Sequence, residues 1–250
     1  MPIKKNTQLT NIPIGRRKFL TYSGGVLAAA AASTLPSPAV HATSTVKIGF
    51  VSPQTGPLAP FGETDKFVLA NARYALKNGI KIGGKNYQVE IISKDSQSNP
   101  NRAAEVTSQL ILKDKVNLMI GSSTGDTVNP VSDQCELNEV PCVTSDTPWQ
   151  IVYFGRGATP KKGFKWTYHF FWGIDDMVGN FINMWDSIDS NKKLGSLIAN
   201  DSDGVVAGNP KMGFRPPMTG AGYNYIQPPI FNPGSNDFTA QINLFKKEGI

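Results

Sequence analysis

The chain has 250 residues, with 25 basic and 19 acidic side chains and a formal net charge of +6. Apolar residues make up 40% and charged residues 18%, which excludes a generically disordered chain and leaves room for one large domain or two lobes. The positive balance does not mark nucleic-acid binding: Lys4, Lys5, Arg16, Arg17 and Lys18 fall in residues 1–42, which hold no acid, and beyond them 20 basic residues face 19 acidic ones.

Residues 1–42 read as an export signal. Gly15-Arg16-Arg17-Lys18-Phe19-Leu20 is a twin-arginine pattern, followed by a weakly apolar run of small residues up to Ser33. Pro36, Pro38 and Val40-His41-Ala42 then supply a helix break and a small-residue cleavage site. The apolar run is shorter than the roughly 20 residues that span a bilayer. The expectation is a soluble protein exported to the periplasm after folding. In that oxidising compartment Cys135 and Cys142, with Pro141 between them, read equally as a disulfide or as two buried thiols. One histidine outside the leader and two cysteines make no closed zinc site without carboxylates, and no cofactor or metal is expected.

After the leader, residues 46–51 form an apolar run, the pattern of a buried strand, and run into a turn-rich loop at 52–62. Residues 63–77 follow with Phe67, Leu69, Ala70, Tyr74 and Ala75 at helical spacing, and Asn78-Gly79 ends them. A tight turn at 81–86 leads into a strand at 87–92. Asn99 caps and Pro100 opens a helix to Leu112. Strand 116–120, loop 121–125, helix 126–138 and strand 140–144 come next. This alternation predicts a parallel sheet covered by helices on both faces, with ligands at the carboxyl ends of its strands. The loops at 52–61, 121–126 and 145–149 are therefore the ones expected at a site.

The second half starts with an aromatic run, Trp166-Thr-Tyr-His-Phe-Phe-Trp172, whose Phe170, Phe171 and Trp172 read as core. A helix is expected at 175–188 and a strand at 194–199. Asn200-Asp-Ser-Asp-Gly204 reads as a strand-end loop facing a cleft, since it lacks the closing Glu of a calcium loop. Residues 208–222 read as irregular around Pro210, Pro216 and Pro217. A helix at 238–247 is capped by Asn236 or Asp237 and ended by Gly249. A βαβ unit is left open at residue 250, so a second lobe looks unfinished.

Two short patterns resemble catalytic loops. Gly79-Ile-Lys-Ile-Gly-Gly84-Lys85 lacks the Ser or Thr of a phosphate loop and follows a helix, so it reads as a turn. Gly121-Ser-Ser-Thr-Gly125 matches a serine-hydrolase elbow between strand and helix. A secreted esterase using Ser123 would need an acid such as Asp146 and a base, for which His169 is the candidate. This is the alternative reading of the chain.

Several stretches in order carry a resemblance. They are residues 46–62, Gly79-Ile80 with Gly83-Gly84-Lys85, Asp95 with Asn99-Pro100 and Ala103-Ala104, 116–123 with Asn129-Pro130, Val140-Pro141, and 236–242. Together they resemble the periplasmic substrate-binding proteins of ABC importers, in the Leu/Ile/Val-binding family. The resemblance implies an α/β, two-lobe clamshell of doubly wound parallel sheets, non-enzymatic, trapping a small solute and presenting it to an inner-membrane permease, with no nucleic acid involved. It implies a first lobe at 43–165, a crossing at 166–174 and an incomplete second lobe at 175–250. Carried over by position, Phe61 packs on the ligand, Ser122, Ser123, Thr124 and Asp126 lie in the head-group loop, and Ser145, Asp146 and Thr147 lie in a second polar loop. Trp149 stands just beyond as apolar wall. Asp126 and Asp146 depart from the amino-acid binders, because an acid repels a ligand carboxylate; amides, ureas, peptides and other polar solutes fit instead. The family's ammonium-gripping residues fall after Lys247, which implies weak or absent binding by residues 1–250.

Overall fold

A computed structural model describes residues 44–159 and 161–250; the expected export signal at 1–42 and its cleavage site lie outside the described residues. Strand β1 (Thr45–Ser52) runs inside a six-stranded sheet, flanked by β3 (Lys85–Asp95) and β4 (Leu118–Ser122). The order is β2 (Ile80–Ile82), β3, β1, β4, β5 (Cys142–Ser145), β6 (Thr167–His169). Only β2 is antiparallel, joined to β3 through Gly83 and Gly84, whose φ values of +56° and +81° are those a two-residue hairpin turn needs. In register, Ser52 pairs with Asp95 and Ser122 with Ser145, so these carboxyl-end residues share one edge of the sheet. That is the edge at which a parallel sheet binds ligands.

Helices α2 (Pro100–Leu112) and α3 (Gly125–Asn138) cover one face. Ala103, Val106, Leu110 and Ile111 of α2 meet Val131 and Cys135 of α3, and Val51, Met119 and Cys142 of the strands, in one buried cluster. Each large apolar side chain buried there contributes roughly 1.5–3 kcal/mol. Asn99 caps α2 as expected, its Oδ1 accepting the Arg102 N–H at 3.0 Å. Cys135 and Cys142 are free thiols, both fully buried. A hydrogen bond from one to the other, and then burial, push the Cys135 thiol up from its ordinary value.

Helix α1 (Asp65–Ala75) is shorter than its pattern predicted and turns a different face inward. Of the five apolar residues read as its core stripe, only Leu69 is buried; Phe67 and Tyr74 are 73% and 69% exposed. Asp65 and Leu69, one turn apart, face the fold, which puts positions 67 and 74 on the opposite side.

Beyond α4 (Trp149–Tyr153) and β6, the chain builds a second, two-stranded parallel sheet, β7 (Lys193–Gly195) and β8 (Asn224–Ile226). Helices α5 (Ile174–Asp186), α6 (Ser202–Ala207) and α7 (Arg215–Gly220) surround it, and α8 (Thr239–Glu248) follows. Ile174, Val178, Met218, Tyr223 and Tyr225 form its core together with Ile151 of α4.

The strand expected at 194–199 is broken. The facing segment holds Pro228 and Pro229, which have no N–H to donate. The ladder lapses after Ser196 N–H to Ile226 O and resumes where the Phe231 N–H donates to Ile198 O at 3.0 Å. Residues 208–222 are not irregular throughout: Pro216 and Pro217 sit in the first turn of α7, where no intrahelical N–H is needed. Gly249 closes α8 in the left-handed conformation, φ +71°. Among the described residues no helix is long and apolar enough to cross a membrane.

Candidate functional site

The loop after β1 is tied down by residues after β3. Asp95 Oδ1 accepts the backbone N–H groups of Gln54 (2.9 Å), Thr55 (3.2 Å) and Gln97 (2.8 Å), and Oδ2 accepts the Thr55 hydroxyl at 2.6 Å. Burial opposes ionisation of Asp95, but the Thr55 hydroxyl and these N–H groups outweigh it and hold the carboxyl below its ordinary value. Ser98 Oγ donates to Thr55 O and accepts the Leu58 N–H. So braced, the loop carries Pro60 and Phe61 to the mouth of a cavity.

The loop between β4 and α3 forms the next wall. Ser123 and Thr124 both have φ of +66°, and Asp146 on the neighbouring loop has +63°. A β-branched residue there is an outlier, and each such residue costs on the order of 1–3 kcal/mol. The distortion is held by specific bonds. Ser123 Oγ donates to Phe61 O at 2.9 Å, Ser122 Oγ to Asp146 Oδ2 at 2.9 Å, and the Thr124 N–H to Asp146 O at 3.3 Å.

The second sheet closes the cavity through α6. Asp201 caps α6 by accepting the Gly204 N–H at 2.7 Å. Asp203 Oδ2 accepts the N–H of Gly125, first residue of α3, at 2.9 Å, and Oδ1 takes the Thr147 hydroxyl. In return, Asp126 accepts the Ser202 N–H at 3.2 Å and the Ser202 hydroxyl at 2.6 Å. Gly125 is needed at this crossing: a Cβ there would stand 2.5 Å from Ile151 Cγ2 and 2.8 Å from Ser202 Cβ. Burial raises the Asp203 pKa, Thr147 and Gly125 counter it, and the Asp201 and Asp126 charges add to it. The positive end of α3, where a ligand anion is favoured, is thus occupied by the protein's own carboxylate.

The cavity has a volume of about 620 Å³, in the range of small-molecule sites. Of the residues expected at a site, Phe61, Ser123, Thr124 and Asp146 line it. Ser122 and Thr147 are buried behind the wall and hold Asp146 and Asp203. Asp126 faces Ser202, and Ser145 ends β5 at the sheet edge; neither lines the cavity.

Trp149 is turned away, its ring against Tyr153 and Phe154 with centroids 6.1 and 5.8 Å apart, because α4 begins at Trp149 and curls back on itself. The apolar wall comes from elsewhere. Phe171 and Trp172, read from sequence as core, line the cavity with ring centroids 4.5 Å apart, joined by Phe214. Asp201 and Asp203, read as a cleft-facing loop, are there; Asp65, in the first turn of α1, had no local signal. His169 makes no hydrogen bond to the serine loop. Its ring nitrogens pair with Thr144 Oγ1 at 2.9 Å and Thr147 O at 2.8 Å, and burial lowers its pKa. The esterase constellation of Ser123 with His169 is not assembled.

A profile of the periplasmic binding proteins matches residues 45–250. The chain belongs to the periplasmic binding protein family. A leucine-, isoleucine-, valine-, threonine- and alanine-binding protein of Pseudomonas aeruginosa is 25% identical over 214 residues, covering 84% of this chain and 52% of that protein. A leucine-binding protein of Thermotoga maritima superposes with a TM-score of 0.69 at 21% identity, over 82% of this chain and 54% of the other. An ABC-transporter solute-binding protein of Rhodopseudomonas palustris in complex with 4-hydroxybenzoate superposes at 0.65 and 18% identity, over 82% and 52%. The periplasmic-binding fold is therefore the fold of this chain, which spans about half the length of the relatives it matches.

Proposed function

We propose that this periplasmic binding protein is the solute receptor of an ABC-type importer. It is exported through the twin-arginine signal in residues 1–42, captures a small polar solute in the periplasm and delivers it to an inner-membrane permease. One observation carries the reading. Three strand-end loops of the first sheet and helix α6 of the second converge on a single cavity, lined by aromatic rings and a few polar groups. Two walls from two sheets give a solute differential contact with an apposed and a separated arrangement, and that difference is what drives domain closure. Hydroxyls at Ser123 and Thr124 hold a polar head by hydrogen bonds and make no bond that must later be broken. The names of the relatives, which include amino-acid and aromatic-acid binders, support the same role.

The test is intrinsic tryptophan fluorescence of the full-length mature protein, with Trp172 at the cavity, titrated with amino acids, amides and ureas. A saturable change with one of them is expected. Ester turnover that disappears in Ser123→Ala would refute the reading.

A further inference from the structure

The charge inside the cavity is one-sided. Asp65, Asp146, Asp201 and Asp203 line it, and among the described residues no Lys, Arg or His does. Asp201 and Asp203 already accept backbone or hydroxyl donors of α6, α3 and Thr147. Asp65 is different. It is only 6% exposed, and its buried Oδ2 has no well-aligned hydrogen bond, the Ser52 hydroxyl being the one donor set beside it. Thr124, 3% exposed on the same cavity wall, also has a hydroxyl with no partner. Buried polar groups without partners are rare in folded proteins and call for an explanation. A buried carboxylate with so few donors is costly to the protein that keeps it, and burial raises the Asp65 pKa against the Ser52 hydroxyl that lowers it.

Three further observations narrow what would pair with it. No three His, Cys, Asp or Glu side chains among the described residues come together closely enough to hold a metal ion, so the acids are spread around an open volume. The rest of the wall is aromatic and aliphatic, with Phe61, Phe171, Trp172 and Phe214 presenting rings that attract a cation on their faces. The amino end of α3, a feature that attracts anions, is taken by Asp203. An entering carboxylate would have to displace Asp203 and settle among like charges.

Resting on the receptor reading above, we infer that the cavity takes an organic cation: an alkyl- or arylammonium solute without a carboxylate, its charged nitrogen on Asp65 and Asp146, its apolar body against Phe61, Phe171 and Trp172.

Calorimetric titration of the full-length mature protein at pH 7 with three probes of similar size tests this: benzylammonium, neutral benzamide and benzoate. Benzylammonium is expected to bind at least tenfold more tightly than benzoate and more tightly than benzamide. Asp65→Asn is expected to weaken benzylammonium at least tenfold, leave benzamide within threefold, and raise or preserve the melting temperature of the free protein, because a buried charge with few donors is removed. A merely structural Asp65 would lower stability and affect the probes alike. Asp146→Asn is the second variant, expected to show the same charge-selective loss. Benzoate or benzamide binding more tightly than benzylammonium overturns the inference and leaves the receptor reading intact. Equal benzylammonium affinity in wild type and both variants also overturns it. Binding of none of the three overturns it too, and the receptor reading is then decided by the wider fluorescence panel.

Discussion

Replacing Asp95 by alanine is expected to loosen the loop that presents Phe61. The carboxylate holds three backbone N–H groups and one hydroxyl, the longest bond being 3.2 Å. Bonds to a charged acceptor are worth about 1.5–3 kcal/mol each when dry. Asp95 is partly exposed, so water takes over some of them on deletion, and roughly 0.5–1 kcal/mol per bond is the better figure. The expected loss is about 2–4 kcal/mol at pH 7, or on the order of 4–16 °C in melting temperature for a chain of this size. Asp95→Asn keeps the oxygen that serves the three N–H groups but not its charge, and is expected to lose about 1 kcal/mol.

The pH dependence has a definite sign. The folded pKa of Asp95 lies below its ordinary value of about 3.9, so the stabilisation is fully present above pH ~4 and is lost as pH falls through the folded pKa. Urea unfolding followed by circular dichroism at pH 7 and at pH ~2.5 measures both. The gap between wild type and Asp95→Ala should narrow at the lower pH. A gap under about 0.5 kcal/mol at pH 7, or one of equal size at both pH values, would refute the reasoning.

Glu136 performs a similar task at the start of β6, where Oε1 accepts the N–H groups of Trp166 (2.7 Å) and Thr167 (2.8 Å) and Oε2 that of Lys165 (3.2 Å). Burial opposes its charge and these donors prevail, so Glu136→Ala should cost about 2–3 kcal/mol at neutral pH in the same urea assay, the cost shrinking below pH ~4. Asp203→Ala removes the carboxylate from the amino end of α3 and should create a site for small anions. Acetate or benzoate is expected to raise the melting temperature of the variant and not that of wild type, by differential scanning fluorimetry. Gly125→Ala places a methyl 2.5 Å from Ile151 Cγ2, and should cost about 1–3 kcal/mol or force α3 and α6 apart, which small-angle scattering detects.

Local chemistry made much of the first sheet legible. The apolar runs at 46–51 and 116–120 became β1 and β4, Asn99 capped α2, and Gly79 and Gly249 took the left-handed conformations expected of terminators. The errors have physical causes. Short helices such as α6 and α7 bury too little to leave a 3.6-residue stripe, and prolines in a first turn look the same in sequence as prolines in a loop.

The site itself was half visible. Phe61, Ser123, Thr124 and Asp146 follow from strand-end position alone, because a parallel sheet gathers those loops. Asp203 against Gly125 joins residues 78 positions apart on different sheets, and no spacing rule announces such a pair. Asp65 looked like an ordinary acid in the first turn of a helix, which is where acids are common; its burial is tertiary.

The left-handed backbone at Ser123, Thr124 and Asp146 has an evolutionary consequence. Glycine would relax each of these positions, at a gain of some fraction of the 1–3 kcal/mol each now withholds. It would also delete the hydroxyl or carboxyl that the contorted chain displays. Under the receptor reading proposed above, selection for thermal robustness and selection for capture therefore pull on these residues in opposite directions. Laboratory evolution for heat tolerance alone should drift toward glycine first at Thr124, whose hydroxyl has no bond to lose, and last at Ser123 and Asp146, whose side chains hold Phe61 and Ser122.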